Sequence, residues 1–309
     1  MDASVCILLA TYNNALHVGD LLDSLLSQTC GGFVLLVHDD CSSDGTREIV
    51  EARRDPRIIF KQNERPSGGA QNNFFGLLRD CPDVDYIMFS DADDFWLPDK
   101  IERTLARMRL LEAERGRLTP LLVHGDLIVT DGSLNVIAPS LFRYERLSPE
   151  RRELRQMLAQ NNVTGCTVMI NRALRALVPE QPKNSVMHDW WLALCASAFG
   201  EISVIKEPLI CYRQHGDNEV GAYNADDLRT SALRLADSQR SSRIYNSMFA
   251  QAGCFADVFE DRLSEKDLSL CRAYAALADR SKFEKIVSVI RHGFYKNTLL
   301  RNIGQFLAI

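Results

Sequence analysis

This sequence is short of the signals that assign a protein at a glance. Its nine cysteines form no CxxC pair and are scattered through apolar runs such as SVCILLA and LICYR. That pattern points to reduced core thiols of a cytoplasmic protein. No apolar run reaches the ~18 residues of a membrane span. The opening MDASVCILLATYNN has no basic n-region and only a short apolar run, so a signal peptide is not expected. Basic residues are outnumbered, with a net charge of −5, and no chain-wide basic footprint for nucleic acid exists. Neither GxGxxG nor GxxxxGK[ST] occurs, which argues against a dinucleotide dehydrogenase and a P-loop NTPase. GxSxG, the nucleophile elbow, is missing too, as are repeats and low-complexity tracts. What is present is the composition of a globular enzyme: 309 residues, 46% hydrophobic and 25% charged. This excludes disordered, collagen-like and coiled-coil chains and is enough for one large or two modest domains.

Over the first hundred residues, short apolar runs alternate with helical patterns. Val5–Ala10, Phe33–Val37, Arg57–Phe60 and Tyr86–Phe89 read as strands. Helical spacing follows at Leu16–Leu26, around Ile49 and Val50, and over Gly68–Leu78, while Pro98 fits a first helical position ahead of Ile101, Leu105 and Met108. Strand and helix in alternation, with strands apolar throughout, imply a parallel α/β sheet buried on both faces. Farther on, LLVHGDLIVT and VTGCTVMI read as strands, RRELRQMLAQNN and Asp189–Ala198 as helices, and VIKEPLICYRQHG as a strand pair with a turn. From about residue 225 the pattern is helical to the end.

The polar turns TYNN, HDDCSSDGT and SDADD all follow strands. Ligands of open α/β sheets bind beyond the carboxyl ends of the strands, so these turns should converge on one crevice. Asp91, Asp93 and Asp94 repel one another unless a cation or proton intervenes. They suit a hard cation such as Mg²⁺ or Mn²⁺, or else form a solvated turn. One of Asp39 and Asp40 is expected to hold a base or ribose, with Thr11 and Tyr12 lining the same pocket, although Tyr12 also fits a packed rim. Asp44 reads as a helix N-cap. Arg65 and the glycines of PSGGAQNNF precede a helix start that favours an anion, or form an ordinary loop and cap.

In order, ATYNN, VHDDCSSDGT, SGGAQNNF, FSDADDFWLPDKI, VTGCTVMI, MHDWWLAL and YRQHGDN resemble glycosyltransferase family 2, nearest its bacterial rhamnosyltransferase-like subgroup. The resemblance spans roughly residues 4 to 218, and HGFYKNTLLRNIGQFL extends it into the tail. It implies an α/β GT-A fold, a Rossmann-like mixed sheet flanked by helices, and inverting transfer from a dTDP- or UDP-sugar to a saccharide or polyprenyl-linked acceptor. It further implies Mg²⁺ or Mn²⁺ on Asp93 and His215, with Asp91 on the ribose or on the metal through water and Asp94 toward the sugar. Asp189 corresponds to the family's catalytic base, with His188 where the family usually has an acid. Trp190 and Arg213 fall to the donor-sugar or acceptor side, Asn218 to the same loop as His215, and Asn73 to the nucleotide.

The resemblance implies a transferase domain over 1–220, with halves 1–100 and 101–220, and a helical extension over 221–309. From Lys282 on, Lys285, Arg291, Lys296 and Arg301 interleave with Phe283, Ile286, Phe294, Tyr295, Leu299, Leu300, Ile303, Phe306 and Leu307 against a single acid, Glu284. A basic amphipathic helix here suits the anionic inner face of the cytoplasmic membrane; the alternative is packing on the chain itself or on a second subunit as a homodimer.

Overall fold

The computed structural model describes residues 5–179, 182–216, 221–225 and 238–309, with only the backbone of 238–240. The chain forms two compact units. The first holds Met1–Leu141, Val163–Gln181 and Glu201–Ala222; the second holds Phe142–Asn162, Pro182–Gly200 and Tyr223–Ile309.

The first unit is built on one mixed sheet. Its strands are β1 Val5–Thr11, β2 Phe33–Asp39, β3 Ile58–Gln62, β4 Tyr86–Ser90, β5 Phe95–Trp96, β6 Leu121–Thr130, β7 Val136–Ala138, β8 Met169–Asn171 and β9 Glu201–Arg213. They lie in the order β3-β2-β1-β4-β8-β6-β9-β5, with β7 against β6. The first four are mutually parallel, as the alternating pattern requires. The helices between them are α1 Val18–Leu26, α2 Thr46–Ala52 and α3 Ala70–Asp80, followed by α4 Lys100–Arg115. Side chains of Cys6–Leu9 and Met88–Phe89 are fully enclosed, so continuous apolar strands do mark two-sided burial.

Four details of this unit differ from expectation. The stretch read as a strand pair is one strand, β9. Pro208 faces Asp126 of β6 where the register shifts, so the proline is absorbed as a bulge rather than a turn. Of VTGCTVMI, only Met169 onward is strand; Gly165–Thr167 form a 3₁₀ turn, held by the Thr167 hydroxyl donating to Thr164 O at 2.7 Å. Pro98 lies ahead of the cap residue Asp99, and α4 starts at Lys100. Gly45, with φ 91°, is the cap of α2; Asp44 stands one residue earlier and accepts the Thr46 amide at 3.1 Å.

Short helices α5 Leu141–Tyr144 and α7 Arg172–Arg175 complete the connections. The second unit contains α6 Leu154–Ala159, α8 His188–Phe199, α9 Ser238–Val258, α10 Glu265–Ala275, α11 Lys282–His292 and α12 Leu299–Ala308. The α6 helix is shorter than its polar flanks suggested and starts in a Glu153–Gln156 capping box. An aromatic core fills this unit. Trp191 meets Phe255 edge-on at 5.3 Å, and Tyr274 meets Phe294 at 4.8 Å. The tail is two helices rather than one, because Gly293 at φ 71° closes α11 in the left-handed conformation.

Candidate active site

In the first unit, parallel register sets Thr11 at the end of β1 opposite Asp39 at the end of β2. The Thr11 hydroxyl donates to Asp39 Oδ1 at 2.9 Å, and the Ser42 amide to Oδ2 at 2.9 Å. Asn13 and Cys41 take left-handed φ values of 52° and 64°, rare for side-chain-bearing residues. Their loops are laced together: the Asn13 amide donates to Ser42 Oγ, the Asn14 amide to Thr46 Oγ1 and the Ala15 amide to Asp44 Oδ2. Asp40 is held from the loop after β3, by Asn63 Nδ2 at 2.8 Å and by the amide and hydroxyl of Ser67. Asn73 is buried and donates to His38 O at 3.1 Å, pinning α3 to the end of β2. Tyr12 and Arg65 are exposed at the rim.

The acidic turn after β4 is gathered by the end of β9. His215 Nε2 lies 2.8 Å from Asp93 Oδ2. Arg213 donates from Nε to Asp93 O at 2.8 Å, from one terminal nitrogen to Gly132 O at 2.7 Å and from the other to Asp20 Oδ2 at 3.1 Å. Its guanidinium, expected to serve sugar or phosphates, is a 3% exposed strap across the turn. Asp94 is fully buried, and burial, reinforced by Asp93 and Asp91, pushes its carboxyl well above the usual range.

Sequence reasoning missed three groups here. His17, at the start of α1, lies 5.1 Å ring to ring from His215. Cys166 hydrogen-bonds Asp94, and its thiol is pushed up by burial. Lys100 is fully buried with its amine over the Trp96 ring, and burial drives its pKa far down. Cys166 and Lys100 stand inside quoted motifs, VTGCTVMI and FWLPDKI, and only their chemical type went unread; His17 carries no signal.

The donor chemistry suits a hard divalent cation. Carboxylate oxygens of Asp91, Asp93 and Asp94 are concentrated in one turn, and Asp94 Oδ2 is buried without a hydrogen-bond partner. Donor atoms of Asp91, Asp94 and Cys166 lie within 4.8 Å of one another. Imidazole and carboxylate, as in His215 and Asp93, are ligands Mn²⁺ accepts.

The remaining expected residues belong to the second unit. Asp189 lies in the first turn of α8, where the helix dipole favours a negative charge, and accepts the Trp190 amide at 2.6 Å. His188 is 3% exposed, and burial lowers its pKa to about 3, so its ring is neutral. Trp190 is half-buried and donates its indole N–H to Met157 O at 2.7 Å, whereas Trp191 is core. Asn218 lies outside the described residues.

This sheet, with acids at its strand ends, has the GT-A fold. Residues 6–115 match the family described as Glycosyl transferase family 2. Among curated relatives it is 29% identical over 236 residues to the dTDP-rhamnosyl transferase RfbG of Shigella flexneri, covering 69% of this chain and 74% of the relative. It is 25% identical over 265 residues to the UDP-Glc:alpha-D-GlcNAc-diphosphoundecaprenol beta-1,3-glucosyltransferase WfgD of Escherichia coli, covering 85% and 89%. Among solved structures, the mannosyltransferase PcManGT from Pyrobaculum calidifontis in complex with GDP-Man and Mn²⁺ superposes with a TM-score of 0.55. That match has 17% identity and covers 98% of this chain and 84% of that one.

Proposed function

We propose that this protein transfers a sugar, with inversion, from a nucleotide-sugar to a hydroxyl of a saccharide or polyprenyl-linked acceptor in bacterial surface polysaccharide synthesis. The observation that supports the reading is the Asp93–His215 pair, a carboxylate and an imidazole more than a hundred residues apart in sequence that meet at 2.8 Å in a chain whose residues 6–115 match glycosyl transferase family 2. Rhamnose from a dTDP donor is the favoured sugar, supported by the RfbG relative; the WfgD relative supports a UDP-hexose as the second reading.

In this reading Thr11, Tyr12, Asp39, Asp40, Arg65, Asn73 and Asp91 form the nucleotide side, and Asp94 faces the sugar. Asp93 and His215 hold Mg²⁺ or Mn²⁺, with Asp91 beside them. Once bound, the cation offsets the charge that develops on the departing diphosphate. Asp189 takes the proton from the acceptor hydroxyl as it attacks, and His188 and Trp190 border the acceptor. The reaction belongs to the cytoplasmic side, where nucleotide-sugars are available.

The test is transfer from dTDP-rhamnose and from UDP-hexoses to a diphosphate-linked saccharide, with and without Mn²⁺. Asp189→Asn is expected to lower turnover about 10²–10⁴-fold, as loss of a general base does, while donor affinity stays unchanged. Full turnover in that variant would remove Asp189 from the role.

A further inference from the structure

The tail presents a face that the transfer chemistry does not use. Nearly half of the exposed large apolar side chains among the described residues fall between 283 and 307. On α11, Phe283, Val287 and Ile290 recur at i, i+4 and i+7 with exposures of 76%, 46% and 55%, while Val289 on the opposite side is fully buried. On α12, Leu299, Ile303 and Leu307 recur at i, i+4 and i+8 with exposures of 77%, 46% and 63%. Lys282 Nζ donates to Leu307 O at 2.9 Å, so the start of one apolar row comes to the end of the other. A monomer in water gains nothing by presenting two such rows; they mark a surface that is covered in use.

The charge around them identifies the cover. From Arg280 to the C-terminus six basic residues stand against one acid, Glu284, and that acid is engaged in capping Ser281. Two of the six turn inward. Lys296 lies over the Tyr245 ring, and Arg301 hydrogen-bonds Tyr223 and pairs with Glu145. Arg280, Lys282 and Arg291 remain exposed, and Lys285 is half-exposed. Apolar rows flanked by cations, with no acid after Glu284, complement an anionic lipid surface, where apolar side chains enter the interface and cations meet headgroups.

We propose that the α11–α12 face docks this protein onto anionic bilayers, with Phe283, Ile290, Leu299 and Ile303 entering the interface. The inference goes beyond the proposed transfer reaction and does not depend on it. The test is flotation of the full chain with phosphatidylcholine vesicles, with and without phosphatidylglycerol, at low and high salt. Binding to the anionic vesicles, weakened by salt, is expected. The double variant Arg280→Gln/Arg291→Gln should weaken it by about fivefold per charge removed. The double variant Phe283→Ser/Leu299→Ser, at positions more than three-quarters exposed, should keep its melting temperature yet lose about tenfold or more in partitioning. Absence of anionic-vesicle binding by the unaltered chain would overturn the proposal. So would vesicle binding that survives the apolar variants while a dimer dissociates on sedimentation, which would assign the face to a second copy. No sugar donor or acceptor enters this assay, so its failure leaves the transferase reading untouched, and an inactive enzyme that binds vesicles leaves the docking face standing.

Discussion

At the residue scale, the acidic turn is strapped by the Arg213 guanidinium. Arg213 gives three separate nitrogens to Asp93 O, Gly132 O and Asp20. Lysine offers a single flexible point charge in place of that planar fork. Arg213→Lys should therefore leave the fold intact while weakening Mn²⁺ binding about tenfold, since one or two charge-assisted hydrogen bonds worth about 1–3 kcal/mol each are lost. Calorimetric titration of the variant with Mn²⁺ checks this; unchanged affinity would mean the turn holds its own shape. Such a role could not be read in advance. Sequence displays Arg213 as a cation near expected phosphates, and only the fold shows its donors given to two carbonyls and the Asp20 carboxylate. The meeting of Asp93 and His215 follows the ordered motifs in which both sit. Thr11 and Asp39 were legible as a neighbourhood because parallel strands bring their carboxyl ends together, but the bond between them was not.

At the scale of elements, continuous apolar strands and periodic helices made β1 to β4 and α1 to α4 readable to within a residue or two. Where one local device broke the pattern, the reading failed. Pro208 looks like a turn in the linear chain, yet a strand with a partner on either side can carry a proline at a register shift. Adjacent tryptophans on α8 diverge, as neighbouring helical positions do, and one of them is core. Trp191 is that one, enclosed against Phe255 and Phe259. Trp191→Ala should cost about 3–5 kcal/mol of stability, and Trp190→Ala much less. Urea denaturation followed by circular dichroism distinguishes them; equal losses would mean that the Trp190 indole bond to Met157 matters as much as the cavity.

For the molecule as a whole, two enclosed histidines contribute to the response to acid. Burial lowers the pKa of His188 to about 3 and that of His38, despite Asp80, to about 4. Both would take up a proton near 6.5 once unfolded. Between pH 6.5 and those lowered values the unfolded chain binds more protons than the folded one, so stability falls as the pH drops through that window. Melting temperature should accordingly decline from pH 7 toward 4, and His38→Gln should flatten the decline. A melting temperature flat over this range would show that the rings accept protons without unfolding.

The three-segment make-up of the helical unit also bears on synthesis. Residues 142–162 and 182–200 leave the ribosome well before 223–309, yet all three segments build one unit. β6, likewise, waits some seventy residues for β9, its parallel neighbour. Only β1 to β4 and their helices have their principal partners at hand as they emerge. A nascent chain stalled near residue 200 therefore exposes α6 and α8 without the aromatic side chains that cover Trp191. Enclosure of Trp191 by Phe255 and Phe259 is completed only in the last third of translation.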